Sequence, residues 1–178
     1  MPFLTEPCAE YKEQFIEGIR EFQREGKQLH YDIQRISTDF EAFLRATREQ
    51  QEHVRIGPNR VPTTEMWLID GDEYIGYLAL RHELNDFLLK VAGHIGYMIR
   101  PSKRRLGYGT EILRLGLEQA KKLGLPRALV TCDENNIGSK KVIEHNGGKL
   151  ENAVEVEGAT VRKLRYWIDL MEQENQTT

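Results

Sequence analysis

Residues 100–124 read RPSKRRLGYGTEILRLGLEQAKKLG. Four basic side chains, Arg100, Lys103, Arg104 and Arg105, precede Gly107-Tyr108-Gly109, and an amphipathic helical pattern begins at once. Lys121 and Lys122 fall in its last turn, and Gly124 and Pro126 end it. Glycines at the mouth of a helix let backbone N–H groups approach a ligand closely. The first N–H groups of a helix lack internal partners, and the macrodipole adds partial positive charge there. The stretch therefore suits a phosphate or pyrophosphate, although a basic cluster beside a GxG is also compatible with a solvated surface. A Walker loop is excluded, since GxxxxGK[ST] is missing; a dinucleotide fingerprint is excluded because no third glycine follows Gly109.

Working outward, the apolar run LLKVAGHIGYMI at 88–99 predicts a strand ended by Pro101, and RALVTC at 127–132 predicts a strand buried on both faces. With the helix between them they predict a right-handed βαβ unit with parallel strands. EMWLID (65–70) and EYIGYLAL (73–80) predict a hairpin turning at Asp70-Gly71-Asp72. A helix over about 136–146 closes at Gly147-Gly148, and strands at about 149–156 and 160–170 follow. Upstream, Tyr11, Phe15, Ile19 and Phe22 mark one helix stopped by Gly26. A second starts near Ser37-Thr38-Asp39 and buries Phe40, Phe43 and Leu44, its polar tail fraying toward the Gly57-Pro58 loop.

The totals restrict function. With 28 acidic and 25 basic residues the net charge is −3, which argues against general nucleic-acid binding. No apolar run approaches the roughly 20 residues of a membrane span, and the N-terminus lacks the pattern of a signal peptide, so a cytoplasmic location without membrane contact is expected. Cys8 and Cys132 form no CxxC pair, and the five histidines show no ligand spacing, so free thiols and no metal are expected. No linker or repeat divides residues 1–178, which read as one mixed α/β domain.

Arg104-Arg105-Leu106-Gly107-Tyr108-Gly109, the aliphatic residue and proline at Ile99-Arg100-Pro101, and Asn136-Ile137-Gly138-Ser139 before a helix resemble the motifs of the GNAT superfamily of N-acetyltransferases. The resemblance covers roughly residues 60–170. It implies an α/β fold with a central mixed twisted sheet, helices on both faces and a V-shaped splay between strands 4 and 5. Residues 1–57 would supply an N-terminal strand and helices 1 and 2, and residues 65–170 the core sheet, cofactor helix and C-terminal hairpin. It further implies acetyl-CoA as cosubstrate. Arg104, Arg105, Leu106, Gly107, Tyr108, Gly109 and Thr110 would meet its pyrophosphate. Met98 and Ile99 would lend main-chain groups to the pantetheine arm, and Asn136 and Ser139 would lie near its acetyl end.

The implied reaction is acetyl transfer to a primary amine by direct attack in a ternary complex. The acceptor would be a small molecule or a peptide. A non-catalytic acyl-CoA sensor is the alternative. His94, with an ordinary pKa of about 6.5, and Glu83, in the polar segment Arg81–Asp86, are the candidate general bases. Each could equally be a structural or solvated residue. Many family members carry a tyrosine four residues after the motif serine, where this chain has Ile143. Gly148 stands where an aromatic residue is usual and reads as a packing variation. Dimers are common in the family, and the C-terminal hairpin could form a homodimer.

Overall fold

The computed structural model describes residues 1–52 and 60–171. Strands β1 (Phe3–Thr5), β2 (Thr63–Asp70), β3 (Glu73–Arg81) and β4 (Ile95–Ile99) form one sheet in that order. Strands β5 (Arg127–Asp133), β6 (Lys149–Val154) and β7 (Lys163–Asp169) form a second, in the order β5-β7-β6. Every ladder is antiparallel.

Near-continuous burial along β2 and β3 has a direct cause: both faces of the first sheet are covered. On one face lie α1 (Lys12–Arg24), α2 (Ile33–Thr38) and α3 (Phe40–Glu52). Phe15 of α1 stacks on Trp67 at 4.5 Å and on Phe43 at 5.2 Å. Ile16, Ile19 and Phe22 complete the buried stripe of α1. On the other face α5 (Tyr108–Lys122) sets Ile112, Leu113 and Leu117 against Leu68, Ile75, Leu78 and Leu80. Burying one such side chain fully is worth about 1.5–3 kcal/mol. Gly116 permits the approach, since a Cβ there would lie 2.4 Å from Leu78 Cδ1.

Asp39 caps α3 by accepting the Ala42 N–H at 2.9 Å, as its type foretells. Ahead of it the chain makes an additional short helix, α2, capped by Asp32, which accepts the Arg35 N–H at 3.0 Å. The polar tail of α3 stays helical through Glu52 rather than fraying from Arg45. The rest of that tail, and the loop around Gly57-Pro58, lie outside the described residues.

The 88–99 segment is not one strand. Its first half is a helix, α4 (Asp86–Val91), whose Asn85 cap accepts the Leu88 N–H at 2.9 Å. Gly93, at φ 67°, turns the chain into β4. No parallel ladder joins β4 to β5. The two sheets meet at one bridge of antiparallel type, Gly93 to Val130, with the His94 N–H donating to Leu129 O at 2.7 Å. Gly93 is obligatory there, because a Cβ would lie 2.3 Å from Leu129 O. Past this bridge the sheets separate, and the helix α6 (Ile137–His145) that follows β5 faces β4 across the gap.

Candidate active site

The gap is a cleft of about 650 Å³, within the range of small-ligand sites. Tyr97, Met98 and Ile99 line it from β4; Arg104, Arg105, Gly107, Gly109 and Thr110 from the turn into α5; and Asn136, Gly138, Ser139 and Val142 from α6. All the residues assigned to the cofactor from sequence line it except Leu106 and Tyr108. Leu106 is 66% exposed. Tyr108 turns away, its hydroxyl donating to Asp70 Oδ2 at 2.8 Å.

The α5 mouth has the backbone geometry that suits an anion. Gly107 is its N-cap at φ 88° and offers no side-chain cap. Arg105 is also left-handed, at φ 61°, a conformation uncommon outside glycine. Alternating backbone conformations of this kind aim successive N–H groups into one concavity. Gly109 brings α6 close, since a Cβ there would lie 3.2 Å from Val142 Cγ2. Asn146 ties the helices together by donating to Thr110 O at 3.2 Å.

Arg104 does not supply free charge. Its two Nη atoms clasp the Glu25 carboxylate, both at 2.9 Å, and its Nε donates to Ile99 O at 3.1 Å. It straps the turn to the end of α1, and its hydrogen bonds hold the Glu25 pKa below the ordinary range. Arg105 is exposed and forms no ion pair among the described residues, so it is the available guanidinium. Lys27, between α1 and α2, adds a cation to the lining. Sequence spacing could not find Lys27 or Glu25, because both arrive by tertiary packing.

Beneath the turn lies a buried ion pair. Arg100 Nε donates to Glu21 Oε1 at 2.7 Å, with the two side chains 9% and 12% exposed. Glu21 also accepts the Ser102 N–H at 2.9 Å and the Ser102 hydroxyl at 3.0 Å, and Arg100 reaches Gln14 Oε1 at 3.0 Å.

Across the cleft, the Tyr97 hydroxyl lies 3.1 Å from Ser139 Oγ. Burial pushes the Tyr97 pKa up to about 12, so the phenol keeps its proton at neutral pH. Asn136, which lines the cleft, accepts the Ser139 N–H at 3.0 Å and so caps α6. Ile143 is wholly buried in the core, so the position where a tyrosine is common carries no proton donor. At Gly148 the packing against α6 leaves no room for a side chain. A Cβ there would lie 2.5 Å from Ile143 Cγ2 and 2.8 Å from Ile143 O.

The two candidate bases are not brought to the cleft lining. His94 is 7% exposed, and its Nδ1 accepts the Leu129 N–H at 2.9 Å. That bond uses its basic lone pair and leaves the proton on Nε2. Burial, then Arg81 and Arg127, lower its pKa to about 4. Glu83 sits exposed in the bend after β3. Cys132 is buried in the core, where burial raises its pKa, and Cys8 is likewise a free thiol. No group of metal-binding side chains is formed among the described residues, and no described helix is long and apolar enough to cross a membrane.

No curated protein matches the sequence. Among solved structures, RimJ of Mycobacterium smegmatis in complex with CoA-disulfide is 20% identical. It superposes with a TM-score of 0.69, over 94% of this chain and 81% of that one. The microcin C7 self-immunity acetyltransferase MccE, in complex with acetyl-CoA and AMP, is 14% identical, with a TM-score of 0.66 over 94% and 92% of the chains. A Salmonella typhimurium acetyltransferase that modifies the N-terminal serine of ribosomal protein L7/L12 is also 14% identical, with a TM-score of 0.63 over 94% of each. These likenesses share the fold. Residues 19–149 match the family described as acetyltransferase (GNAT) domain, and this chain therefore belongs to the GNAT acetyltransferases.

Proposed function

We propose that the protein transfers an acetyl group from acetyl-CoA to an amine by direct attack within a ternary complex. The observation that carries this reading is the cleft itself, where an uncapped left-handed turn at Arg105–Gly107 opens beside β4 and α6. Acetyl-CoA supplies the acetyl group as a thioester. The Arg105–Thr110 turn and Lys27 would hold its pyrophosphate. The backbone of Met98 and Ile99 would hold the pantetheine arm as an added strand, and Asn136 would orient the acetyl end.

The remaining chemistry belongs to hydroxyl and backbone groups. A main-chain N–H of β4 would stabilise the carbonyl oxygen as it gains charge. The Tyr97–Ser139 pair would deliver a proton to the departing sulfur, the role for which Ile143 is unfit. Direct attack is supported by Cys132, whose burial and raised pKa make it a poor acyl carrier. The amine proton would leave to water, since the lone pair of His94 is engaged. Holding both reactants in one cleft then provides much of the rate.

Initial-rate kinetics test the scheme. With acetyl-CoA varied at several fixed amine concentrations, intersecting double-reciprocal lines are expected. Parallel lines, or a trapped acetyl-enzyme, would refute direct attack.

A further inference from the structure

The helix-covered face of the first sheet is partly open to solvent at one place. Ala79 of β3 and Gly96 of β4 are directly opposed, and both are reached by solvent although they lie mid-strand. Tyr77, Ala79 and Arg81 point to this face, because Leu78 and Leu80 between them are buried against α5. This part of the face adjoins the cleft. Gln28 Nε2 donates to Tyr77 Oη at 3.0 Å and touches Met98 Sδ at 3.4 Å, and Met98 lines the cleft. Gln28 holds this position with φ 55°.

Arg81 lies over this part of the face. Its Nη1 and Nη2 sit 3.6 and 3.8 Å from where a Gly96 Cβ would be, ordinary contact distance, so the guanidinium lies directly beside this face of Gly96. Nη1 donates to Gly93 O at 3.1 Å. Among the described residues that is its one hydrogen bond, and no carboxylate lies within ion-pair distance. A guanidinium has five N–H donors, so most of this half-buried fork is unused. Burial also lowers its pKa, the sign of a cation left without an anion. The carboxylate on the same face, Glu65, does not neutralise it. Glu65 stands on the far side of Ala79, makes no hydrogen bond or ion pair among the described residues, and has its pKa raised by burial.

We propose that the partly open face over Ala79 and Gly96 is the acceptor subsite, and that Arg81 there binds a carboxylate carried by the amine that is acetylated. A planar fork of this kind takes a carboxylate through two parallel hydrogen bonds. Bound over Gly96, an α-amino acid would present its amine at the Tyr97–Met98 edge of the cleft, one backbone step away. Glu65, paired with Ala79 on the other side of this face, borders the rest of the subsite. The inference rests on the acetyl-transfer reading above.

The test compares free α-amino acids with their own α-amides as acceptors, at saturating acetyl-CoA, by release of the CoA thiol. An amide has the less basic amine, so chemistry alone favours it at neutral pH. At least one amino acid should nonetheless exceed its amide in kcat/KM by about tenfold or more, the scale of one charge-assisted pair. Arg81→Gln should abolish that preference, while Arg81→Lys retains part of it. Because Arg81 also braces Gly93, the wild-type comparison stands by itself if a variant fails to fold. Amides equal to or better than acids overturn the inference, as does a preference that survives in a folded Arg81→Gln. It is also overturned if acetyl-CoA binds and no amino acid is turned over. Turnover only of amines that carry no carboxylate, such as benzylamine, would leave the transferase reading intact and remove only the role of Arg81. Failure of acetyl-CoA to bind would remove the transferase reading itself.

Discussion

Glu21→Gln should weaken both the fold and the cofactor turn. Glu21 and Arg100 are nearly buried, and the pair fastens residues 100–102, which lead into the α5 mouth, onto α1. Removing one partner of a buried pair costs about 3–5 kcal/mol, because the other charge is stranded. The amide oxygen can still accept from Ser102 or Arg100, so about 3 kcal/mol is expected. For a chain of this size each kcal/mol moves Tm by about 2–4 °C, which makes a fall of roughly 6–12 °C. Acetyl-CoA affinity should fall with it, since Arg104 and Arg105 follow directly. The pH dependence carries a sign. Burial pushes the Glu21 pKa up, but hydrogen bonds from the Ser102 N–H, Arg100 and the Ser102 hydroxyl outweigh it and leave the pKa below 4.5. The contribution is therefore complete above pH 4.5 and lost as pH falls through the folded value. Melting curves of wild type and variant should converge in acid. Replacing both partners, as Glu21→Leu with Arg100→Met, should recover much of the loss. A Tm change under about 2 °C at pH 7, with unaltered acetyl-CoA affinity, would refute the reasoning.

Three further outcomes follow from the geometry. Gly93→Ala forces a Cβ to 2.3 Å from Leu129 O at φ 67°, so it should cost about 3 kcal/mol in denaturant unfolding and open the bridge between the sheets. Tyr97→Phe and Ser139→Ala should each lower kcat by about tenfold or more with little change in acetyl-CoA affinity, and the double variant should lose less than the product of the two if they act as one donor pair. His94 has a folded pKa of about 4 against an ordinary 6.5. Its contribution is present above pH 6.5 and lost as pH falls from 6.5 toward 4. His94→Asn, which can still accept the Leu129 N–H, should flatten that limb of the stability curve.

The parts legible in sequence are those fixed by local chemistry. The glycines and first turn of α5, the Asp39 cap, the Gly71 turn and the buried run of β5 each announce themselves within a few residues. The 88–99 segment is ambiguous in sequence because a short apolar run fits helix and strand alike. The Asn85 cap, four residues upstream of Leu89, was the clue to α4. The clasp of Arg104 by Glu25, the Tyr97–Ser139 contact and the presence of Lys27 join residues about 40 to 80 positions apart. No spacing rule reports such pairs. The engagement of His94 is of the same kind, since its partner Leu129 lies on a different sheet.

The central claim is that the Arg105–Thr110 turn holds the pyrophosphate of acetyl-CoA. Thermal-shift titration with acetyl-CoA, CoA and ATP, on wild type and Gly107→Asp, tests it most directly. The substitution meets open space, and aspartate tolerates a left-handed φ better than most residues, so the fold should survive. At about 100 times Kd, ligand binding stabilises by about 2.7 kcal/mol, a rise on the order of 5–10 °C here. That rise is expected for acetyl-CoA and CoA but not ATP on wild type, and is expected to be lost in a folded Gly107→Asp. An unchanged shift in the variant, or none for either CoA species at millimolar concentration on wild type, would contradict it.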